Sequence, residues 1–177
     1  MIRLFVGIEL PETVKERLLA LGGGVPGARW QTDAQLHLTL RFIGEVDGAR
    51  CNDIHSALGE IRAKPFVVAI KGVGLFGKLT NPRILWAGIE PDEPVIRLHE
   101  KIKKALTGIG LPPEERKYRP HVTLARFRHS GPDRVRAFLE QNDALALPAF
   151  EVRNFALFSS FLSHGGAIYR IEERYDL

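Results

Sequence analysis

The chain has 177 residues, a length typical of one domain or two tightly packed lobes rather than of independent domains. Apolar residues make up 45% of it, enough for an ordinary core, and the net charge of +4 fits an anionic ligand without requiring one. A single cysteine, Cys51, excludes an internal disulfide framework and indicates a reducing compartment, and no apolar run is long enough to span a bilayer. We therefore expect a cytoplasmic protein without membrane association.

The first half of the chain alternates β-rich segments with segments of helical periodicity. Apolar residues at alternate positions predict strands, and apolar residues three or four positions apart predict the buried face of a helix. Pro11 suits the first turn of a helix, and Asp47 suits an N-cap. The predicted elements are a strand over 2–10, a helix from Pro11 to the glycines at 22–24, a strand over 36–43, a helix after Asp47, and strands over 65–76 and 83–90.

The second half continues this alternation and closes with a hairpin. Its predicted elements are a helix from about Pro94, a loop over 111–120, a strand over 121–127, a helix within 131–140, and hairpin strands over 149–162 and 167–175. The resulting order is β-α-β-α-β-β-α-β-α-β-β, in which the first four elements resemble the later α-β-α-β part. We therefore predict an ancient duplication within one body, with two similar lobes facing each other.

Two short motifs of the form His-x-Thr-Leu lie inside predicted strands, at residues 37–40 and 121–124. Side chains alternate between the two faces of a strand, so each histidine shares a face with its own threonine, about 6–7 Å along the strand. Leu38 and Val122 point to the opposite face and can bury in the core. Each motif therefore predicts a polar face anchored by an apolar one. A single such motif is usually ordinary surface, but two copies in strand context favour a functional interpretation.

The doubled motif suits in-line displacement at phosphorus. The attacking oxygen must lose a proton on one side of the phosphate, while the leaving oxygen gains one on the other. Two imidazoles, with ordinary pKa values near neutrality, can act as base and acid, and two hydroxyls can donate hydrogen bonds to the equatorial oxygens. His37, His121, Thr39 and Thr123 together supply this set.

In these residues the chain resembles the 2H phosphoesterases, and among them the RNA 2′,3′-cyclic phosphodiesterases, also called 2′-5′ RNA ligases. The resemblance rests on "HLTLRFIGE" at 37–45 and "RPHVTLAR" at 119–126, supported by "RLFVGIELP" at 3–11, "ILWAGIE" at 84–90 and the closing segment 155–177. It covers essentially the whole chain. It implies a single domain over 1–177 with an α+β, bilobal, duplicated fold, in which mostly antiparallel sheets and flanking helices surround a central groove.

The resemblance also implies an activity and a division of roles. The expected reaction is hydrolysis of a terminal ribose 2′,3′-cyclic phosphate to a 2′-phosphate, without metal or nucleotide cofactor. One of the histidines would activate water and the other would protonate O3′; we prefer His121 as base and His37 as acid, and leave the reverse assignment open. Thr39 and Thr123 would hold the phosphate oxygens. The same site run backwards would join a 5′-hydroxyl to the cyclic phosphate in a 2′-5′ linkage.

Two further positions, Phe42 and Arg126, each follow a motif histidine by five residues. The family pattern implies base stacking for the aromatic residue and phosphate contact for the arginine. Strand alternation argues against both roles, because an odd offset points a side chain away from the histidine unless a bulge intervenes. For Phe42, packing in the core is an equal alternative; for Arg126 we favour substrate contact, because a guanidinium suits phosphate.

The loop before the second motif and the remaining histidines carry weaker expectations. Lys117, Tyr118 and Arg119 form either a loop that reaches RNA or a solvated basic segment. His164, with Ser160 and Tyr169, could border the groove. The remaining expectations are that Trp86 belongs to the core, that His99 and His129 are solvated, and that Cys51 and His55 do not bind metal.

Two other functions remain open at this point. One is a non-catalytic module that binds RNA ends, and the other is the same chemistry on a small cyclic nucleotide or an ADP-ribose cyclic phosphate. The surplus of positive charge mildly favours RNA, because phosphate contacts supply much of nucleic-acid affinity. We therefore expect a monomer that acts on RNA ends carrying 2′,3′-cyclic phosphate, for example those of tRNA fragments.

Overall fold

The computed structural model describes residues 1–128, 132–164 and 166–177, and most of these residues lie in strands or helices. Within them, no helix is long and apolar enough to cross a membrane. The helices are α1 (Glu12–Leu19), α2 (Gly48–Gly59), α3 (Glu93–Gly108) and α4 (Pro132–Asn142). The strands are β1 (Ile2–Glu9), β2 (Ala28–Trp30), β3 (His37–Val46), β4 (Phe66–Lys78), β5 (Asn81–Glu90), β6 (His121–Phe127), β7 (Phe150–Val152), β8 (Asn154–Ser163) and β9 (Gly166–Asp176).

One sheet with antiparallel pairing connects the two halves of the chain. Its strand order is β7-β4-β5-β6-β3-β1-β8-β9, and the short β2 adds a pairing to β6. The strands that carry the two motifs, β3 and β6, are direct neighbours at the middle of this order. The predicted α+β class with antiparallel strands and flanking helices is confirmed.

Three details differ from the predicted elements. Strand β2 and the 3₁₀ turn over Asp33–Gln35 have three residues each, too few for periodicity to reveal. The single strand predicted over 149–162 is two strands, because the chain changes neighbours at Arg153: β7 pairs with β4, and β8 pairs with β1 and β9. The closing segment therefore contributes to both ends of the sheet.

Alternation along β1 shows how the sheet separates its two faces. Leu4, Val6 and Ile8 belong to the main core, which includes buried residues of all four helices. Phe5, between them, belongs instead to a smaller cluster with Ala156 and Phe158 of β8, to which no helix contributes a buried residue. The sheet therefore carries helices on one face and a small aromatic cluster on the other.

Candidate active site

The two motifs lie side by side on the helix-free face of the sheet. Leu38 of β3 pairs with Val122 of β6 in antiparallel register, and these two side chains are 1% and 0% exposed. Antiparallel pairing at this point places His37 on the side of Thr123 and Thr39 on the side of His121. The buried middle residues thus anchor a square of two histidines and two threonines, which the neighbouring strands β3 and β6 bring together.

His37 is held by one hydrogen bond on each ring nitrogen. Its Nδ1 donates to the Gln35 carbonyl at 2.8 Å, and its Nε2 accepts from the Thr39 hydroxyl at 2.8 Å. The rings of Phe5 and Tyr169 lie 4.8 Å and 5.2 Å from the imidazole. Burial is the main reason that the pKa of His37 falls from 6.5 to about 4, and Arg126 and His121 contribute in the same direction. The hydrogen bond to the Gln35 carbonyl acts in the opposite direction. His37 is therefore neutral near pH 7 in the free protein.

His121 repeats this arrangement on β6. Its Nδ1 donates to the carbonyl of Arg119, two residues earlier, at 2.7 Å, as His37 does to Gln35. Phe76 meets the imidazole edge-on at 4.8 Å, and Trp86 lies 6.3 Å away. Burial is the largest cause that lowers the pKa of His121, followed by Arg126 and Arg119. A neutral ring that donates through Nδ1 keeps a lone pair on Nε2, which is the form that a general base requires.

A bulge in each motif strand explains how the residues five positions on reach the same face. On β3 the register steps from Gly7–Thr39 to Val6–Arg41, and on β6 it steps from Trp86–Thr123 to Leu85–Ala125. Each step inserts one extra residue, the leucine that ends the motif, and so reverses the alternation beyond it. Phe42 is accordingly 53% exposed rather than packed in the core, and Arg126 is exposed.

Phe42 and Arg126 line one cavity together with Thr39, His121 and Thr123. Its volume is about 1000 Å³. Among the lining residues that the structure describes, Glu114 carries the single carboxylate. The cationic side chains of the wall are Arg41, Lys78, Arg83, Arg116, Lys117, Arg119 and Arg126. Glu114 is already paired with Arg41 at 3.1 Å. The cavity therefore suits an anionic ligand.

Sequence reasoning missed a buried layer beneath the β3 bulge. His99, expected to be solvated, is 2% exposed, and that expectation is wrong. Its ring stacks on Tyr118 at 4.0 Å and 5°, and its Nδ1 donates to the Leu40 carbonyl at 2.8 Å. The Tyr118 hydroxyl donates to the Thr39 carbonyl at 2.8 Å. A stacked pair thus satisfies two adjacent carbonyls of the bulged strand. The helical spacing of the sequence did indicate this burial, because His99 follows the buried Val95 by four residues and so lies on the same face of α3.

Arg41 is the second missed residue of this layer. Its side chain is 6% exposed and donates to the Pro112 carbonyl at 2.5 Å, besides its ion pair with Glu114. Without the bulge, alternation would place Arg41 on the face of His37 and Thr39. With the bulge its guanidinium lies against Pro112 and Glu114, where it fastens the loop that leads into His121.

The sequence itself matches a family whose members are described as LigT-like phosphoesterases, over residues 8–86 and 88–169. The chain belongs to this family. The LigT-like match spans both motifs, so it covers all four residues of the square.

Relatives of this LigT-like phosphoesterase match along most of its length. An RNA 2′,3′-cyclic phosphodiesterase of Thermotoga maritima is 33% identical over 180 residues, covering 96% of this chain and 92% of that protein. One of Archaeoglobus fulgidus is 29% identical over 171 residues, covering 95% and 96%. Among solved structures, a protein of Thermus thermophilus has a TM-score of 0.82 at 27% identity, covering 99% and 97%. E. coli LigT in its apo form has 0.77 at 25% identity, with the same coverage.

The remaining predicted residues of the LigT-like chain fall at three places. The cavity of the candidate active site is lined by Lys117, Tyr118 and Arg119. The Tyr118 hydroxyl donates to the Thr39 carbonyl, and the Arg119 carbonyl accepts from His121. Trp86, expected in the core, is half-buried beside His121. His164 is exposed, and it lines a second cavity with Tyr169.

Three further residues of the sequence-based expectations are Ser160, His55 and His129. Ser160 pairs with Tyr169 between β8 and β9. His55 shares a 2.9 Å hydrogen bond with Tyr175, and the described residues hold no group of three or more His, Cys, Asp or Glu that could bind a metal ion. His129 lies outside the described residues.

Proposed function

We propose that this phosphoesterase hydrolyses the terminal 2′,3′-cyclic phosphate of RNA to a 2′-phosphate, without a metal ion. The observation that carries the proposal is the square of His37, Thr39, His121 and Thr123, which offers a base and an acid to one phosphorus. The names of relatives at up to 33% identity support the choice of substrate.

In the proposed mechanism, His121 is the base. Its Nε2 takes a proton from water as the water oxygen attacks phosphorus, and the bond from phosphorus to O3′ breaks on the opposite side. His37 donates a proton to O3′, which leaves a 2′-phosphate and a free 3′-hydroxyl. His121 suits the base because its lowered pKa keeps it neutral near pH 7 and because it lines the cavity.

His37 must first gain a proton to act as the acid. Burial favours its neutral form in the free protein, but a bound phosphate places negative charge beside the ring and raises its pKa. Protonated Nε2 no longer accepts from the Thr39 hydroxyl, so its proton is available for O3′ and the hydroxyl hydrogen is available for a phosphate oxygen. Thr123 and Arg126 hold the other oxygens, and Phe42 stacks on the base.

The test is a short RNA that ends in 2′,3′-cyclic phosphate, incubated with the protein in EDTA and heavy-oxygen water. We expect a 2′-phosphate that carries the heavy oxygen. His37→Ala and His121→Ala should each lose about 100-fold or more in kcat. His55→Ala, at a histidine outside the site, is the matched control and should keep full activity. No turnover, or turnover only with added metal, would refute the proposal; tight binding without product would favour a binding module.

We also propose that the same site acts as a 2′-5′ RNA ligase, with a 5′-hydroxyl in the place of water. His121 would take the proton of that hydroxyl as its oxygen attacks phosphorus, and His37 would protonate O3′ as it leaves. The phosphate then stays on O2′ and joins the two RNA strands. Cleavage of this linkage back to the cyclic phosphate exchanges the acid and base roles, because each imidazole can hold or release one proton. Mixing a 5′-hydroxyl RNA with a cyclic-phosphate RNA should give a 2′-5′ linked product that His121→Ala does not form.

Organisation and setting complete the proposal. We propose one domain over 1–177 with two pseudo-symmetric halves, supported by the equivalent bulges at Leu40 and Leu124 and the matching Nδ1 contacts. We further propose that the protein acts as a cytoplasmic monomer on RNA ends, tRNA fragments among them.

A further inference from the structure

Two arginines lie directly opposite each other beside the site. Arg29 of β2 pairs with Arg126 of β6 in antiparallel register, so both side chains project to the same face. Like charges directly opposite each other on neighbouring strands destabilise a sheet. The pairing therefore concentrates positive charge on one face of the sheet, beside the site.

A second cavity of about 960 Å³ opens at this arginine pair. Arg128, two residues beyond Arg126, adds a third guanidinium to its wall, and His164 lies on the β8–β9 side. Among the lining residues that the structure describes there is no carboxylate. We define Arg29, Arg126 and Arg128 as the arginine cluster. Its surroundings favour an anionic ligand, because the charged side chains of the wall are all cationic.

The second cavity adjoins the candidate active site at two residues. Arg126 lines both cavities, and Tyr169 lines the second while its ring meets His37 edge-on at 5.2 Å. The Arg29 guanidinium lies close to Gly166 of β9, since a Cβ built on Gly166 would lie 2.6 Å from one of its nitrogens. The arginines of the second cavity therefore lie next to a ligand held at the square.

We propose that the arginine cluster binds the internucleotide phosphates of the RNA chain that carries the reacting terminus, and so selects polynucleotides over mononucleotides. This inference rests on the proposed function. Guanidinium groups bind phosphate through two parallel hydrogen bonds, and a chain of phosphates is the anion that matches several arginines in a row. Affinity gained in this way falls with salt, by about 0.7 in the slope of log K against log salt for each phosphate neutralised on a single strand.

The test compares kcat/KM for a five-nucleotide RNA and for a mononucleotide, each ending in 2′,3′-cyclic phosphate, at several salt concentrations. In the wild-type protein we expect the RNA to be preferred, and the preference to shrink with salt. Arg128→Gln should lower the ratio of the two kcat/KM values about tenfold, the loss of one charged contact. Arg97→Gln, on α3 and away from both cavities, removes the same charge and should leave the ratio unchanged.

The outcomes separate this inference from the function beneath it. If the wild-type protein turns over neither substrate, the proposed function fails. If it turns over both equally well, or if Arg128→Gln lowers both rates by one common factor, the arginine cluster does not bind the RNA chain. Arg29→Gln, with its fold checked by circular dichroism, is the second variant and should lower the same ratio.

Discussion

At the scale of single residues, the site depends on how each imidazole is fixed. Both motif histidines donate through Nδ1 to a carbonyl two residues earlier in the chain, at 2.8 Å and 2.7 Å. That bond selects the tautomer and leaves Nε2 for proton transfer. The carbonyls belong to Gln35 and Arg119, whose own segments must therefore be held still. For Arg119 the neighbouring residue, Tyr118, provides this restraint through its bond to Thr39.

Tyr118→Phe tests this restraint by deleting one hydroxyl. The Thr39 carbonyl loses its donor, while stacking on His99 is retained. We expect the free energy of unfolding to fall by about 1–3 kcal/mol, the cost of leaving a buried acceptor unsatisfied, and kcat to fall with little change in KM. Urea unfolding and steady-state kinetics measure the two effects.

Tyr175→Phe is the matched control for that deletion. Its hydroxyl bonds to His55 at 2.9 Å, away from both motifs, so this variant should lose stability but keep kcat. Equal losses of kcat in the two variants would mean that Tyr118 stabilises the fold without positioning the site.

At the scale of elements, neighbouring strands supply the surfaces on which the histidines rest. Gly74 of β4 pairs with Trp86 of β5, and the indole lies over the glycine. A Cβ at Gly74 would come 2.1 Å from the indole Cζ2. Trp86 in turn contacts His121, and the Arg119 guanidinium lies 5.8 Å from its ring centre. The absence of a side chain on one strand thus fixes an aromatic wall on the next.

Gly74→Ala should therefore impair the site from two strands away. The added methyl group displaces the indole, so we expect a loss of about 1–3 kcal/mol in stability, as for other overpacked positions, and at least a tenfold fall in kcat/KM. Gly108→Ala, at the last residue of α3 with nothing within 4 Å of its Cβ, controls for the extra methyl and should be neutral. Unchanged kcat/KM in Gly74→Ala would show that Trp86 does not position His121.

Element-scale features also decide what could be predicted from the sequence. Strand alternation is enough to predict that His37, Thr39, His121 and Thr123 share a face, because the register is regular up to the threonines. It gives the wrong face for residues beyond the bulges, and nothing in the leucines at 40 and 124 marks them as extra residues. Phe42, Arg126 and Arg41 therefore needed the structure. Strand β2 could not be predicted either, and so the pairing of Arg29 with Arg126 also needed the structure.

At the scale of the whole molecule, the site exists only where the halves of the chain meet. The motifs lie 84 positions apart in sequence and come together through the pairing of Leu38 with Val122. The loop between α3 and β6 crosses this junction, held by Arg41 at Pro112 and Glu114. Burial at the junction lowers the pKa of both histidines, and Arg126 adds to the effect on each. Their titration is therefore a property of the assembled sheet.

The pH dependence of kcat/KM follows from these two pKa values. In-line chemistry needs one histidine neutral and the other protonated. The pH range of high kcat/KM is therefore bounded by the pKa values of the two histidines in the free protein, a lower limit and an upper limit, whichever residue is the acid. One of these values is about 4, from His37, and the other lies below 6.5, from His121. We expect kcat/KM for a cyclic mononucleotide to rise up to the lower limit, to stay level between the limits, and to fall about tenfold per pH unit above the upper one. Rates that recover after return to the optimum exclude unfolding, and a kcat/KM that still rises at pH 8 would contradict the lowered pKa values.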